Sequence, residues 1–293
     1  MRVHLINPSN VSFGVGVITP RWLYVLADAT PRSYGDPVIT DETLETFDVN
    51  QIAPSDIVGI GIHTSNACRG YELGRLVKAR GGIPVFGGIH ASIYPDESFQ
   101  LGEAAAVVRG DGDKIWASVL ADCSQGQSKG LYEGGMIDPS EFVSARWDLM
   151  PKGSYMWASV QTVRGCPKHC SFCSVWRTDG QIPRQRPVNS VIHEVVTLRR
   201  LGYRFIALAD DNFYSVSLQD LEQAAKKKDQ TRYRELLSLR QERFQLMEQL
   251  SKIDSDIIFF ILRRFHCYLG EERSSALNRY RRKVSTAHSK ASI

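Results

Sequence analysis

Short apolar runs alternating with amphipathic stretches fill the first 120 positions, the pattern of a parallel sheet with helices on both faces. Positions 2–8 predict a strand that ends in a turn at Pro8, and positions 22–27 a first helix. A buried strand over 56–62 ends at His63-Thr64-Ser65, and the helix after it offers Tyr71, Leu73, Leu76 and Val77 as core positions. The next strand, 83–86, ends at Gly87-Gly88-Ile89-His90. A further run over 104–108 ends at Arg109-Gly110-Asp111-Gly112, and a helix with Ile115, Trp116 and Leu120 closes the unit. Three strands thus end in glycine or small polar residues. In open parallel sheets, ligands bind in the crevice beyond the strand carboxyl ends, where glycine lets a ligand approach the backbone.

The first domain is therefore expected over 1–123. Residues 124–154 are rich in Gly, Ser, Pro and Asp with little periodicity, and read as a linker. A second α/β unit over 155–262 opens with a strand at 156–163, followed by a helix capped by Asn189 or Ser190 that buries Val191, Val195 and Leu198 and stops at Gly202. A strand over 205–209 ends in Asp210-Asp211-Asn212-Phe213. Ser217 with Asp220 forms a capping-box pattern that opens a long helical stretch, and 256–262 predicts a third strand. Gly14-Val15-Gly16 lacks the third glycine and the helix cap of a dinucleotide loop.

Composition narrows the class. The 293 residues are 43% hydrophobic and 23% charged, a folded globular mix. No apolar run approaches the roughly 20 residues of a membrane span, and no signal-peptide core follows Met1, so the expected compartment is the cytoplasm. The net charge of +4 is uneven: in 263–293 eight Lys/Arg against two Glu give +6, so the other 262 residues carry −2. Such a body makes no electrostatic case for nucleic-acid binding. The segment 263–293 is an atypical basic tail without clear periodicity. Cys68, Cys123 and Cys267 are isolated and read as small buried hydrophobes.

The remaining three of the six cysteines crowd into one loop directly after a strand, Arg164-Gly165-Cys166-Pro167-Lys168-His169-Cys170-Ser171-Phe172-Cys173. Three soft thiolates at Cys-x3-Cys-x2-Cys spacing can hold three corners of a cubane cluster and leave one iron open. Zinc held by the three with His169 or His193 uses compatible donors, although zinc sites usually draw Cys-x2-Cys pairs from separate loops and no second pair is present. An unliganded trio would leave loop thiols open to oxidation.

With the aromatic Phe172 before the last cysteine, the loop resembles the signature of the radical S-adenosylmethionine family. That resemblance implies a 4Fe-4S cluster on Cys166, Cys170 and Cys173. It also implies that S-adenosylmethionine chelates the fourth iron, and that an electron cleaves its sulfonium to a 5′-deoxyadenosyl radical. Phe172, Asp210 and Asp211 fall where the family contacts S-adenosylmethionine; the plainer reading of the two aspartates is a solvated turn closing a strand.

The first 120 residues resemble the cobalamin-binding domain that precedes the radical domain in one large subclass. Gly61-Ile62-His63-Thr64-Ser65, Gly87-Gly88-Ile89-His90-Ala91 with Tyr94-Pro95-Asp96-Glu97, and Val107-Val108-Arg109-Gly110-Asp111-Gly112-Asp113 carry that likeness. It implies cobalamin contacts at Thr64, Gly87, Gly88, His90, Gly110 and Gly112. The alternative for His63 and His90 is a strand-end histidine that caps its loop by hydrogen bonding. None of the seven histidines has Asp two positions before it, so the Asp-x-His-x-x-Gly source of a lower axial ligand is missing.

The expected fold is thus α/β: a doubly wound parallel-sheet, Rossmann-like cobalamin domain, then a partial radical S-adenosylmethionine (β/α) barrel. About two and a half of the usual six β/α units are expected, with the basic tail a natural early ending or an unrelated reading frame. The expected chemistry is radical hydrogen abstraction, with cobalamin-dependent methyl transfer as the refinement. Expected partners are a small-molecule or lipid-like substrate and an electron donor such as flavodoxin or ferredoxin. The rival class is a catalytically incompetent module that only binds a cluster or zinc.

Overall fold

The computed structural model describes residues 1–261. The expectations for the basic tail and for Cys267 lie outside the described residues. In chain order the elements are β1 (Val3–Asn7), β2 (Gly16–Ile18), α1 (Arg21–Ala29), β3 (Val38–Asp41), β4 (Ile57–Gly61), α2 (Ala67–Ala79), β5 (Ile83–Gly87), α3 (Ile89–Ile93), α4 (Pro95–Gly102), β6 (Ala106–Gly110), α5 (Gly112–Ser124) and β7 (Leu131–Gly135). Then follow β8 (Tyr155–Val160), β9 (Val163–Arg164), α6 (Val175–Thr178), β10 (Arg184–Gln185), α7 (Val188–Arg200), β11 (Phe205–Leu208), α8 (Leu218–Lys226), α9 (Gln230–Ile253) and β12 (Ile258–Ile261). Contacts divide the chain into a first unit of residues 1–156 with 170–180 and a second of 157–169 with 181 onward.

The first unit is built on a six-stranded sheet in the order β3-β1-β4-β5-β6-β7, and all its strand pairs are parallel. A parallel sheet is covered on both faces, so its strands are apolar almost throughout. Ile57, Val58 and Ile60 in β4 and Val85 and Phe86 in β5 are accordingly buried. Ile6, Val58, Ile60, Leu73, Val77, Phe86 and Val107 pack into one core cluster. Leu76, expected in that core, is 37% exposed, because α2 turns Leu73 and Val77 inward and leaves the position between them outside. Cys123 is buried, but Cys68 is exposed, against the expectation of a buried position.

Two strands of this sheet, β3 and β7, are not legible in the hydrophobic pattern. β3 is a four-residue edge strand with only Val38 and Ile39 apolar, and β7 lies inside the stretch read as a linker. Residues 124–154 are therefore no bare linker: β7 extends the sheet beside β6, with a register shift at Arg109/Gly110. The sequence Leu-Tyr-Glu-Gly-Gly hides this strand because an edge position buries only alternate residues, here Tyr132 and Gly134.

In the second unit β11 lies between β8 and β12, parallel to both, with Ile206 opposite Ala158 and Phe259. α7 buries Val191, Val195 and Leu198 as expected. Its start differs: Pro187 is the N-cap residue, with no side-chain cap, and the Ser190 hydroxyl instead accepts from Arg186. Proline suits a helix start because its fixed φ is preorganised and a missing N–H costs nothing there. Ser217 and Asp220 do form the capping box of α8. The long helical stretch is two helices, broken at Lys228, whose φ is +54°, with Asp229 capping α9 through the Arg232 N–H.

Candidate functional site

Strand ends in both units place the candidate residues. In the second unit β11 delivers Asp210, Asp211 and Asn212 beside the segment that leads into the cysteines. One Asp210 oxygen accepts from the N–H groups of Thr162 and Val163 at 2.5 and 2.9 Å, and the other from the Thr162 hydroxyl at 2.5 Å. Arg243 of α9 donates to the Thr162 hydroxyl, lies 4.0 Å from the Asp210 carboxylate and covers the Phe213 ring at 4.5 Å. Burial pushes the Asp210 carboxyl up, against the pull of Arg243 and the Thr162 and Val163 donors. This is a different use from the expected contact to S-adenosylmethionine. Asp210 is 5% exposed and spends both oxygens on its own chain.

The next two residues reach further along the same segment. Asp211 accepts from the Gly165 N–H at 2.7 Å, and the Asn212 side-chain amide lies 3.6 Å from the Cys166 sulfur as donor. Lys168 pairs with Asp220 at 3.3 Å. Burial alone would raise the Asp220 carboxyl, but the Ser217 hydroxyl and N–H, with Lys168, outweigh it and hold it below the usual carboxylate range. Residues 162–168 are thereby tied to the end of β11 and the start of α8.

Cys170 and Cys173 belong to the first unit. The Cys170 carbonyl accepts from the Cys173 N–H at 3.1 Å and from the Trp176 indole at 3.3 Å, which closes a tight turn. All three thiols are free and half-buried, and Phe172 is 87% exposed. Among the described residues no three His, Cys, Asp or Glu side chains are gathered closely enough to hold a metal ion, and this covers His169 and His193. The donor chemistry nevertheless fits an iron-sulfur cluster: three soft thiols, none consumed in a disulfide, within eight positions.

In the first unit the polar residues sit at the ends of β4, β5 and β6. Thr64 is exposed and shares a 3.2 Å hydrogen bond with His90 Nδ1, while His90 Nε2 lies 3.2 Å from Glu97, which also accepts from the Tyr71 hydroxyl at 3.1 Å. His63 Nδ1 pairs with the Ser65 hydroxyl at 2.9 Å. Burial, and then the neighbouring His90, lowers the His63 pKa. Burial raises the Tyr71 hydroxyl, and the Glu97 carboxylate reinforces it.

The four glycines divide into two kinds. Gly88 has φ +92°, and a Cβ there would lie 2.6 Å from the Ile62 carbonyl oxygen; Gly110 has φ +76°, with the Gly135 carbonyl oxygen at 2.7 Å. The fold itself requires glycine at both. A Cβ on Gly87 would meet nothing closer than 3.9 Å, and one on Gly112 nothing closer than 3.5 Å. At those two positions the fold itself does not require glycine. Of the residues that matter here, the sequence marks neither Arg243 nor Thr162: an arginine on a charged helix reads as solvated, and Thr162 reads as part of the strand over 156–163, whereas β8 ends at Val160. Asn212 lies in the Asp210-Asp211-Asn212-Phe213 run after the strand, and nothing in that run signals its contact with Cys166.

No helix among the described residues is long and apolar enough to cross a membrane. No family model matches the chain. In sequence it is 27% identical over 197 residues to the bacteriochlorophyllide d C-12(1)-methyltransferase of Chlorobaculum tepidum, covering 64% of this chain and 43% of that protein. The chain thus spans less than half the length of this curated relative. In structure it is similar to the radical S-adenosylmethionine methyltransferase TsrM of Kitasatospora setae with cobalamin and a [4Fe-4S] cluster bound. There the TM-score is 0.58 at 19% identity, covering 87% of this chain and 54% of that one. It is also similar to the cobalamin-dependent S-adenosylmethionine radical enzyme OxsB with aqua-cobalamin and S-adenosylmethionine bound. That match has a TM-score of 0.70 at 16% identity and covers 96% of this chain and 41% of that one. The chain, with its parallel six-stranded sheet and the β/α elements after it, thus shares its fold with these two structures.

Proposed function

We propose that the chain is a radical S-adenosylmethionine protein that binds a 4Fe-4S cluster on Cys166, Cys170 and Cys173 and cobalamin on its first unit, and that its reaction is methyl transfer. The observation that carries this reading is the loop itself: three free, half-buried thiols at Cys-x3-Cys-x2-Cys spacing, in a fold shared with cobalamin-dependent radical enzymes. Methyl transfer is favoured over other radical chemistry because the Chlorobaculum relative and TsrM are both methyltransferases.

Bound there, the cluster with S-adenosylmethionine supplies one-electron radical chemistry, and cobalamin supplies a carrier for the methyl group. The chain's own residues bind and orient. Asp210 fixes the turn at Thr162 and Val163, and Asp211 fixes Gly165, so that Cys166 is presented from a braced backbone. By the family resemblance we assign Phe172, which is exposed, and Asp211, which is half-buried, to S-adenosylmethionine. Gly87 and Gly112 offer approachable backbone to cobalamin. Thr64 offers a hydroxyl held by His90, which Glu97 in turn orients. A low-potential donor of the flavodoxin or ferredoxin type is the matching electron source, and the substrate is a small molecule with an unactivated carbon.

The test is the iron and acid-labile sulfide content of the full chain after anaerobic reconstitution. About four irons per chain are expected, with near-complete loss in Cys170→Ala. Zinc in place of iron, or full cluster content in Cys170→Ala, would overturn the ligand assignment and favour a binding module.

A further inference from the structure

The three residues that end β11 make successive contacts with successive positions of the loop. Asp210 takes the N–H groups of Thr162 and Val163, Asp211 takes that of Gly165, and Asn212 reaches the side chain of Cys166. The first two contacts are backbone braces made by carboxylates. The third differs in kind, because an amide replaces a carboxylate at the position that faces sulfur. We propose that Asn212 is a positioning residue for the iron-sulfur cluster: its side-chain N–H donates to the Cys166 thiolate and raises the reduction potential of the cluster that this sulfur ligates.

The inference rests on the cluster reading above, and its physical basis is charge. A ligating thiolate can only accept, so the side-chain amide must present its N–H, and it does so at 3.6 Å, within the range of a bond to sulfur. Adding an electron to a cluster increases the negative charge on its sulfurs. A fixed donor therefore stabilises the reduced form more than the oxidised form, and hydrogen bonds to sulfur are among the levers that set these potentials. The donor is also held in place, since Asp210 and Asp211 lock the end of β11 against the approach to Cys166. An aspartate at 212, continuing the two before it, would place a negative charge and no donor beside the sulfur.

The experiment is a redox titration followed by electron paramagnetic resonance, on the anaerobically reconstituted full chain, for wild type, Asn212→Ala and Asn212→Asp. Iron and sulfide per chain are expected to be unchanged. At the wild-type midpoint potential, the ratio of reduced to oxidised cluster is expected to fall about tenfold in Asn212→Ala, which for one electron is a shift of ~59 mV. A larger fall is expected in Asn212→Asp. Should the aspartate variant fail to take up iron, Asn212→Ala decides alone, since it removes the donor without adding charge and leaves both aspartate braces intact. Unchanged midpoints at full iron content would overturn the role of Asn212 and leave the cluster standing. A wild-type chain without a four-iron cluster would overturn the cluster assignment and this inference with it.

Discussion

Both units end parallel strands in polar residues, yet they use them in opposite ways. After β11 Asp210 turns inward, both its oxygens taken up by Thr162 and Val163, while half-buried Asp211 gives one oxygen to the Gly165 N–H. At the ends of β4 and β5 the polar chain runs from Tyr71 and Glu97 through His90 to an exposed hydroxyl on Thr64, and Gly87 leaves open backbone nearby. A carboxylate at a strand end is thus not by position alone a ligand contact. What decides is whether neighbouring backbone donors lack partners. The N–H groups of Thr162, Val163 and Gly165, before, in and after the short β9, go to these acids, and buried N–H groups left unpaired are costly enough to claim them.

The sharpest way to break this comparison is Asp210→Ala. It leaves buried Arg243 without its counter-charge and two N–H groups without acceptors, so a loss of about 3 kcal/mol or more in denaturant unfolding is expected. A loss under about 1 kcal/mol would mean that water serves equally well and that the carboxylate is free for a ligand. The glycines offer the next test. Gly88→Ala forces a side chain onto the Ile62 carbonyl at φ +92° and is expected to cost about 1–3 kcal/mol. In Gly87→Ala the new Cβ meets only the Val108 carbonyl oxygen at an ordinary 3.9 Å, and the variant should stay within about 0.5 kcal/mol. It should weaken cobalamin binding measured by the absorbance of the bound corrin; if Gly88→Ala is as mild as Gly87→Ala, the division into fold and ligand glycines fails. Glu97→Gln should cost about 1 kcal/mol in the same unfolding assay, with iron content unaffected.

The smallest expected effect is on pH dependence. Burial lowers the His4 pKa from its ordinary 6.5 despite the partner Asp56 at 3.3 Å. The folded chain therefore binds this proton more weakly than the unfolded chain. The contribution of neutral His4 is full above pH 6.5 and declines as the pH falls through that value toward the lowered one. Replacing His4 with Gln should flatten the change in unfolding midpoint between about pH 7.5 and 5.5; an unaltered slope would assign the dependence elsewhere.

Much of the first unit was legible because a parallel sheet writes its strands as near-continuous apolar runs, interrupted in β1 only by buried His4. Val3 to Ile6, Ile57 to Ile60 and Ala106 to Val108 need no partner to be recognised. β3 and β7 were hidden because edge strands bury half as much, and β7 carries two glycines where the chain passes Arg109 and Asp111. The break between α8 and α9 was hidden because Lys226, Lys227 and Lys228 continue a helical pattern, and only the left-handed Lys228 ends it. At the candidate site the cysteines announced themselves by spacing. Arg243 could not: its partners Thr162 and Asp210 lie far away in sequence, and sequence alone offers no measure of that burial.

The central claim is that the three cysteines hold a cluster with one iron open to S-adenosylmethionine. Electron paramagnetic resonance of the reduced, reconstituted chain with and without S-adenosylmethionine tests it most directly. A four-iron signal that changes in shape and g-values when S-adenosylmethionine is added is expected. A signal indifferent to S-adenosylmethionine, or a chain that takes up zinc instead, would contradict it.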